Sequence, residues 1–315
     1  MLRVSDLIFR TGSFGAEEAL HVSERALDAP LEGDAELSVV TLRTEATVLG
    51  AFQRPTGLGA GARAGTVLRR ISGGPSITVG AGTLHVLLAL AHPSVLVPCD
   101  PARLMNRYVR PLLHALTKTG ALAHYFGRDW VSVAHRPVAQ VGFAHDSTSG
   151  RAVFEAFVAV ETPFAAPGRA SLLGKEPGTL ASVVGQAFDV GVLAERIAIA
   201  YAKAGDRAVR MAALGVARAH PVPMDDPPWT ATADEAIGEV GAGRDASGTL
   251  RLGGDLLASR DALGRVAAAV SALQAPDAGA IGRIVNEELR SPRVALQGVK
   301  DLGSLEKVLR EAWSG

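Results

Sequence analysis

The motif with the clearest chemical potential in this chain is Arg69-Arg70-Ile71-Ser72-Gly73-Gly74. Glycines allow positive φ and a close approach of the backbone to a ligand, and successive N–H groups in such a turn can bind an anion. Arginines add charged, fork-shaped donors suited to carboxylate or phosphate. The motif therefore predicts a pocket for an anionic small molecule. A glycine-rich hairpin with solvated arginines is the alternative, because short glycine motifs are weak evidence on their own.

The elements around this motif predict that it connects two strands. Apolar, β-rich segments predict strands over 37–42, 47–50, 65–68, 77–79, 84–90, 130–134, 137–143 and 153–160. The last three strands are typical of an antiparallel meander. Apolar residues at helical spacing predict helices over 17–27, 101–119 and 180–204.

The composition is typical of a soluble globular protein. The 315 residues are 48% hydrophobic, and 32 basic residues balance 32 acidic ones, which gives no bulk attraction for nucleic acid or an anionic membrane. One cysteine, Cys99, excludes an intramolecular disulfide and a multi-cysteine metal site. The N-terminal residues lack a signal-peptide pattern, and the longest apolar run, 84–96, is too short and polar to span a bilayer. We therefore predict a cytoplasmic protein.

The segment 220–229 is the clearest linker, because it contains four prolines that a helix or central strand would not accommodate. It divides the chain into predicted domains at 1–220 and 229–315. The second domain is predicted to be a small α+β module, with strands over 236–242 and 249–253 and helices over 259–274, 278–289 and 304–313.

Several motifs together resemble those of lipoate–protein ligases, relatives of the biotin protein ligases. The segment 69–74 resembles their Arg-Arg-x-Ser-Gly-Gly-Gly signature. Further matches follow the family order at Val48-Leu49-Gly50-x-x-Gln53, Gly82-Thr83-Leu84, Asn106, Gly127-Arg128-Asp129 and 252–257. The resemblance implies a mixed α+β fold, in which a biotin/lipoate ligase-like catalytic domain with a largely antiparallel sheet and flanking helices precedes a small C-terminal accessory domain.

The resemblance also implies an activity. These ligases use ATP and Mg²⁺ to convert lipoate, or a related medium-chain acid, into an acyl-adenylate, and then acylate a lysine of a lipoyl-acceptor domain. No His, Asp or Glu cluster has a convincing metal-ligand spacing, so Mg²⁺ would arrive with the ATP phosphates. The resemblance gives a substrate-binding set that comprises Arg69, Arg70, Ser72, Gly73, Gly74, His85, Asp129 and Gly142. For His85, which lies on an apolar strand, an ordinary core histidine is the alternative.

The sequence departs from the family where a lysine is expected. In Arg136-Pro137-Val138-Ala139-Gln140, Pro137 stands at the family lysine position, and proline supplies neither a charge nor an N–H donor. Arg136 and Lys175 are the candidate substitutes, while His135 and His145 are possible general bases. Two hypotheses follow: a working ligase with a substitute cation, or a non-catalytic relative that binds a lipoyl-like ligand or a lipoyl-domain partner.

Overall fold

A computed structural model describes residues 6–63, 65–165, 175–215, 217–274 and 278–314. Its strands are β1 (Leu7–Phe14), β2 (Ala35–Leu42), β3 (Ala46–Leu49), β4 (Val67–Arg69), β5 (Ile77–Val79), β6 (Thr83–Leu90), β7 (Ala123–Tyr125), β8 (Trp130–Val133), β9 (Arg136–His145), β10 (Ala152–Ala159), β11 (Val209–Met211), β12 (Ala231–Asp234), β13 (Glu239–Arg244), β14 (Leu250–Gly254), β15 (Leu257–Ala258) and β16 (Leu296–Gln297). Its α-helices are α1 (Ala16–Arg25), α2 (Ala60–Arg63), α3 (Leu104–Thr117), α4 (Leu180–Val184), α5 (Val190–Ala204), α6 (Arg260–Ser271), α7 (Ala278–Leu289) and α8 (Gly303–Ser314).

The central element is an eight-stranded sheet with the order β11-β1-β2-β6-β10-β9-β8-β7. Strand β1 runs parallel to β2 and β11, and every other neighbouring pair is antiparallel. Strands β6 and β10 lie at its centre and are buried along their whole length, which explains their nearly continuous apolar sequences. The largely antiparallel sheet confirms the predicted mixed α+β fold.

Helices cover both faces of this sheet. On one face, α3 and α5 pack together, and the Tyr201 hydroxyl donates to the backbone carbonyl of Tyr108 at 2.7 Å. On the other face, α1 packs with a small sheet of order β4-β3-β5. The predicted anion motif leaves β4 and enters β5, as expected from the sequence. Among the described residues, no helix has both the length and the hydropathy needed to cross a bilayer.

The C-terminal residues build a separate apolar cluster. The sheet β12-β13-β14 packs against α6, α7 and α8 around residues such as Val240, Leu263 and Leu309. Phe52, from the N-terminal part of the chain, also packs against this cluster. The domain division at 220–229 remains a prediction.

Several elements differ from the sequence-based predictions. The helix predicted over 180–204 is interrupted at Gly185, which has φ +77°, and restarts after Asp189, whose carboxylate accepts the first amides of α5. The strand predicted over 236–242 begins only at Glu239, because a bend that ends at Gly238 separates β12 from β13. Strand β1 was not predicted, since polar residues and a glycine interrupt its apolar pattern.

Candidate functional site

Arg69 holds the turn that follows β3. Its Nη1 donates to the carbonyl oxygens of Gly50, Ala51 and Gln53 at 3.0, 3.3 and 2.6 Å. Burial lowers the pKa of Arg69, while the charge of Asp226 opposes this shift. The guanidinium therefore fixes the 50–53 turn beside the predicted anion loop.

Arg70 is buried and bonded to its own loop. Its Nη2 donates to the carbonyl oxygens of Gly73 and Pro75, both at 2.9 Å, and its Nε donates to Ser72 Oγ at 3.1 Å. Burial lowers the pKa of Arg70 to about 10, against the opposing effect of Glu155 and other nearby carboxylates. Arg70 therefore remains charged at neutral pH and shapes the loop from inside.

The loop amides that were predicted to hold an anion have protein acceptors. Ser72 N donates to Glu155 Oε2 at 3.1 Å, Gly73 N to the Phe143 carbonyl at 3.2 Å, and Gly74 N to the Leu256 carbonyl at 3.1 Å. Gly73 permits this contact, because a Cβ there would overlap the Leu256 carbonyl oxygen. The C-terminal part of the chain thus covers the glycine loop in this conformation.

A buried carboxylate supports the loop from below. Glu155 Oε2 accepts the Ser72 hydroxyl at 2.6 Å, and Glu155 Oε1 lies 2.8 Å from His85 Nε2. The His85 ring also stacks on Phe157 at a centroid distance of 4.7 Å. Burial alone would raise the pKa of Glu155, but hydrogen bonds from His85, Ser23 and Ser72 lower it.

These contacts place His85 and Ser72 in one network beneath the loop. Glu155 was not among the predicted site residues, although a lone carboxylate within the apolar segment 152–159 was a usable signal, since an unpaired charge is rarely buried. Gly142 belongs to the same contact. A Cβ at Gly142 would lie 2.9 Å from Ser72 Oγ, so the glycine lets β9 approach the loop closely.

Asp129 forms the centre of a buried polar cluster with unsatisfied atoms. Within the described residues, neither carboxylate oxygen of Asp129 has a hydrogen bond, nor do Nε and Nη2 of Arg128 or Oε1 of Gln140. Arg128 Nε lies 3.8 Å from Asp129 Oδ1. Burial raises the pKa of Asp129 to about 6, although the charges of Arg128 and Arg70 oppose it. Buried polar atoms without partners are uncommon in folded proteins, and this cluster would suit a polar ligand.

The cluster lies beside the glycine loop. The Gln140 amide nitrogen donates to the Pro75 carbonyl at 2.8 Å, the same oxygen that accepts from Arg70. A Cβ at Gly74, which has φ +95°, would lie 3.1 Å from Arg70 Nη2 and 3.8 Å from Gln140 Nε2. Arg70, Gln140 and the loop therefore share one small volume, next to Asp129.

Comparison with known proteins identifies this architecture. No family model and no curated protein matches the sequence. Among solved structures, a bipartite lipoate protein ligase from Thermoplasma acidophilum, described with its E2 lipoyl domain, aligns with a TM-score of 0.55 at 13% identity, over 67% of this chain and 88% of that one. The chain has the fold of the lipoate–protein ligases.

Two further lipoate-ligase structures give the same result. Lipoate-protein ligase A bound with ATP aligns with a TM-score of 0.55 at 12% identity, covering 67% of this chain and 90% of that one. Protein Ta0514 from T. acidophilum, a lipoate ligase candidate with bound lipoic acid, aligns with a TM-score of 0.52 at 10% identity and the same two coverages. At this level of identity the similarity establishes the fold alone, because one fold serves many activities.

Within the lipoate-ligase fold, Pro137 lies on the same face of the sheet as Gln140. Strand β8 pairs Trp130 with Gln140 and Ser132 with Pro137, with an irregularity between Val131 and Ser132. Residues paired across an antiparallel ladder point to the same face, and Trp130 and Ser132 are two residues apart on one strand. Pro137 and Gln140 therefore share a face, although their spacing of three would place them on opposite faces of a regular strand.

The two substitute cations predicted from the sequence lie at the surface. The Arg136 side chain is 48% exposed, and its Nη2 is 3.0 Å from Oε2 of Glu176. Lys175 is exposed and directly follows residues 166–174, which lie outside the described part of the chain. Arg128 was not among the substitute cations predicted from the sequence. Its guanidinium stacks over Trp130 at 4.6 Å from the ring centroid, and so lies on the face of the sheet that Gln140 and Pro137 share.

The two histidines considered as general bases are separate from the cluster. His135 is exposed in the β8–β9 turn, where it has φ +63°. His145 is buried, with Nδ1 at 2.8 Å from the Ser259 hydroxyl, and burial lowers its pKa although Asp261 and Asp146 oppose the shift. In the described ranges, no group of three or more His, Cys, Asp or Glu side chains could hold a metal ion.

Proposed function

We propose that this chain is a lipoate–protein ligase-like protein that binds lipoate or a related medium-chain carboxylic acid together with ATP. The reaction would activate the acid and transfer it to a lysine of a lipoyl-acceptor protein. The observation that carries the proposal is the Arg128–Asp129–Gln140 cluster, whose buried polar atoms lack partners and lie beside the glycine loop of a lipoate-ligase fold. The structural relatives with bound ATP and bound lipoic acid supply the ligand classes.

The proposed reaction has two steps, both of which need stabilisation of developing negative charge. In the first, a carboxylate oxygen of the acid attacks the α-phosphorus of ATP, and the bond to the departing pyrophosphate breaks. In the second, the acceptor lysine amine attacks the acyl carbonyl, loses its proton to solvent and displaces AMP. Mg²⁺ would enter the site bound to the ATP phosphates and would offset their negative charge.

Arg128 is our candidate for the stabilising cation in place of the missing lysine. Its Nε and Nη2 are buried without hydrogen bonds in the described structure, so they can donate to a phosphate oxygen. Stacking on Trp130 holds the guanidinium on the same face as Pro137. Asp129 would accept a hydrogen bond from a ribose hydroxyl or the adenine amino group.

A non-catalytic relative is the second candidate, and two observations favour it. Pro137 stands where the sequence resemblance expects the family lysine, and the Leu256 carbonyl accepts a hydrogen bond from the Gly74 amide. In this alternative the chain binds a lipoyl-like ligand or a lipoyl-domain partner without forming AMP.

Pyrophosphate release with Mg-ATP and lipoate, octanoate or biotin tests the proposal. We expect turnover by the native chain, and a loss of roughly 100- to 1,000-fold in Arg128→Ala, which is typical of removing one such donor. Arg103→Ala, at an exposed position outside the cluster, is the matched control and should retain the native rate.

Three outcomes separate the candidates. Native turnover that Arg128→Ala leaves unchanged would refute the role of Arg128. A silent native chain that gains activity in Pro137→Lys would support the non-catalytic relative. A silent chain that binds neither lipoate nor ATP by calorimetry would reject both candidates.

A further inference from the structure

An open groove of about 410 Å³ separates the 51–54 turn from helix α6. Its apolar wall consists of Phe52, Leu252, Leu263 and Ala267. This volume lies within the range of small-molecule sites, which are usually apolar with a few polar groups that fix orientation. None of the residues of the Asp129 cluster, Arg128, Asp129 and Gln140, lines this groove.

Gly264 keeps the groove open. It lies within α6, and a Cβ built there meets no atom within 4 Å, so a side chain at this position would project into free space. Glycine in the interior of a helix is less favourable than alanine. A side chain at position 264 would stabilise helix α6, but glycine at this position leaves the groove open.

The rim of the groove carries a positive excess. Four arginines line it, Arg54, Arg69, Arg251 and Arg260, against two aspartates, Asp226 and Asp245, and Arg260 is ion-paired with Asp28 outside the groove lining. In the described part of the chain, Arg251 uses its Nε for Asp245 at 2.8 Å, and its side chain is 57% exposed. Its two Nη groups therefore remain available to an anion, since a guanidinium has five N–H donors.

Trp229, one of the two aromatic residues that line the groove, does not offer a face for base stacking. The Arg54 guanidinium covers the Trp229 ring at 3.9 Å from its centroid. Gly241 and Gly253 approach the same ring so closely that a Cβ on either would contact it. Three of the four residues in the apolar wall are aliphatic, so an aliphatic chain suits this wall better than a nucleotide base does.

We propose that this groove binds an amphipathic anion, an unbranched medium-chain carboxylate. The aliphatic chain lies along Leu252, Leu263 and the gap over Gly264, and the carboxylate lies at Arg251. The apolar wall and the arginine rim provide the two complementary halves of the ligand. This site is distinct from the one in the proposed function and does not depend on it.

Calorimetric titration with straight-chain carboxylates of six to twelve carbons tests the site. We expect each added methylene to tighten binding by about fourfold until the groove is filled, the value for burying one CH₂. Gly264→Leu should weaken binding at least tenfold by filling the groove. Gly61→Leu, at a helical glycine that also has open space around its Cβ, should bind like the native chain.

A second variant keeps the test valid if Gly264→Leu fails to fold. Arg251→Ala alters an exposed side chain and should weaken binding of the carboxylate while leaving the dependence on chain length intact. Absence of binding by the native chain, or native affinity in Gly264→Leu and Arg251→Ala, would overturn the proposal. If the carboxylate bound at the glycine loop instead of the groove, both variants would keep the native affinity.

Discussion

Replacing Asp129 by asparagine should stabilise the protein, and the effect should grow with pH. Burial raises the pKa of Asp129 to about 6 from an ordinary value of 3.8. Between these values the folded chain holds a proton that the unfolded chain has released, so the stability of the native protein falls as the pH rises. Above both values the penalty is complete at about 3 kcal/mol, taking 1.36 kcal/mol per pKa unit.

Asp129→Asn removes this penalty because the amide does not ionise. Linkage predicts that the variant exceeds the native protein in unfolding free energy by about 1 kcal/mol near pH 4.5 and about 3 kcal/mol near pH 7.5. Urea unfolding followed by tryptophan fluorescence across this range measures the difference.

The control for this experiment is Asp28→Asn. Hydrogen bonds from Arg260 lower the pKa of Asp28 in the folded protein. The Asp28 carboxylate therefore stabilises the protein at every pH above the pKa of this group in the unfolded chain, and this contribution is lost only as the pH falls below that pKa. The difference between the native protein and Asp28→Asn should therefore stay flat from about pH 5 to 7.5. A flat profile for Asp129→Asn as well would refute our description of Asp129 as a buried carboxyl without hydrogen bonds.

Two further substitutions test how the C-terminal residues are held. Gly73→Ala should destabilise the protein by about 1–3 kcal/mol through overpacking, because the new Cβ would lie 3.1 Å from the Leu257 Cα, whereas Gly57→Ala meets no atom and should be nearly neutral in the same urea assay. Arg54→Ala should lower the thermal midpoint and reduce the free energy of unfolding by roughly 2–4 kcal/mol. The reason is that Arg54 donates hydrogen bonds to the carbonyls of Pro227, Pro228, Gly243 and Arg244. Equal midpoints for Arg54→Lys and the native chain would contradict a role for the planar guanidinium.

The position of the anion motif was predictable from local sequence, but its hydrogen bonds were not. Apolar β-rich segments on each side placed it between β4 and β5, as observed. Whether Arg70 points to a ligand or to loop carbonyls depends on how the loop packs against Glu155 and Gln140. Those residues are distant in the sequence, so no local pattern reports the outcome.

The face occupied by Pro137 shows a second limit of sequence reasoning. Simple alternation along 137–143 separates Pro137 from Gln140, and only the irregular pairing with β8 brings them to one face. The contact between Gly74 and Leu256 is similar, because it depends on the docking of two segments whose individual elements were mostly predictable. Arg128 was visible as part of a motif, but its unpartnered nitrogens are a property of the folded cluster.

The Leu256 carbonyl oxygen accepts a hydrogen bond from the Gly74 amide, so it competes with any anion for this donor. An anion can bind this amide only after it displaces the Leu256 carbonyl. Because that carbonyl belongs to the same chain, its effective concentration does not change when the protein is diluted. The measured dissociation constant then equals the intrinsic one divided by the fraction of molecules in which the contact is open. Weak binding to the intact chain would thus report the equilibrium of this contact as much as the chemistry of the loop.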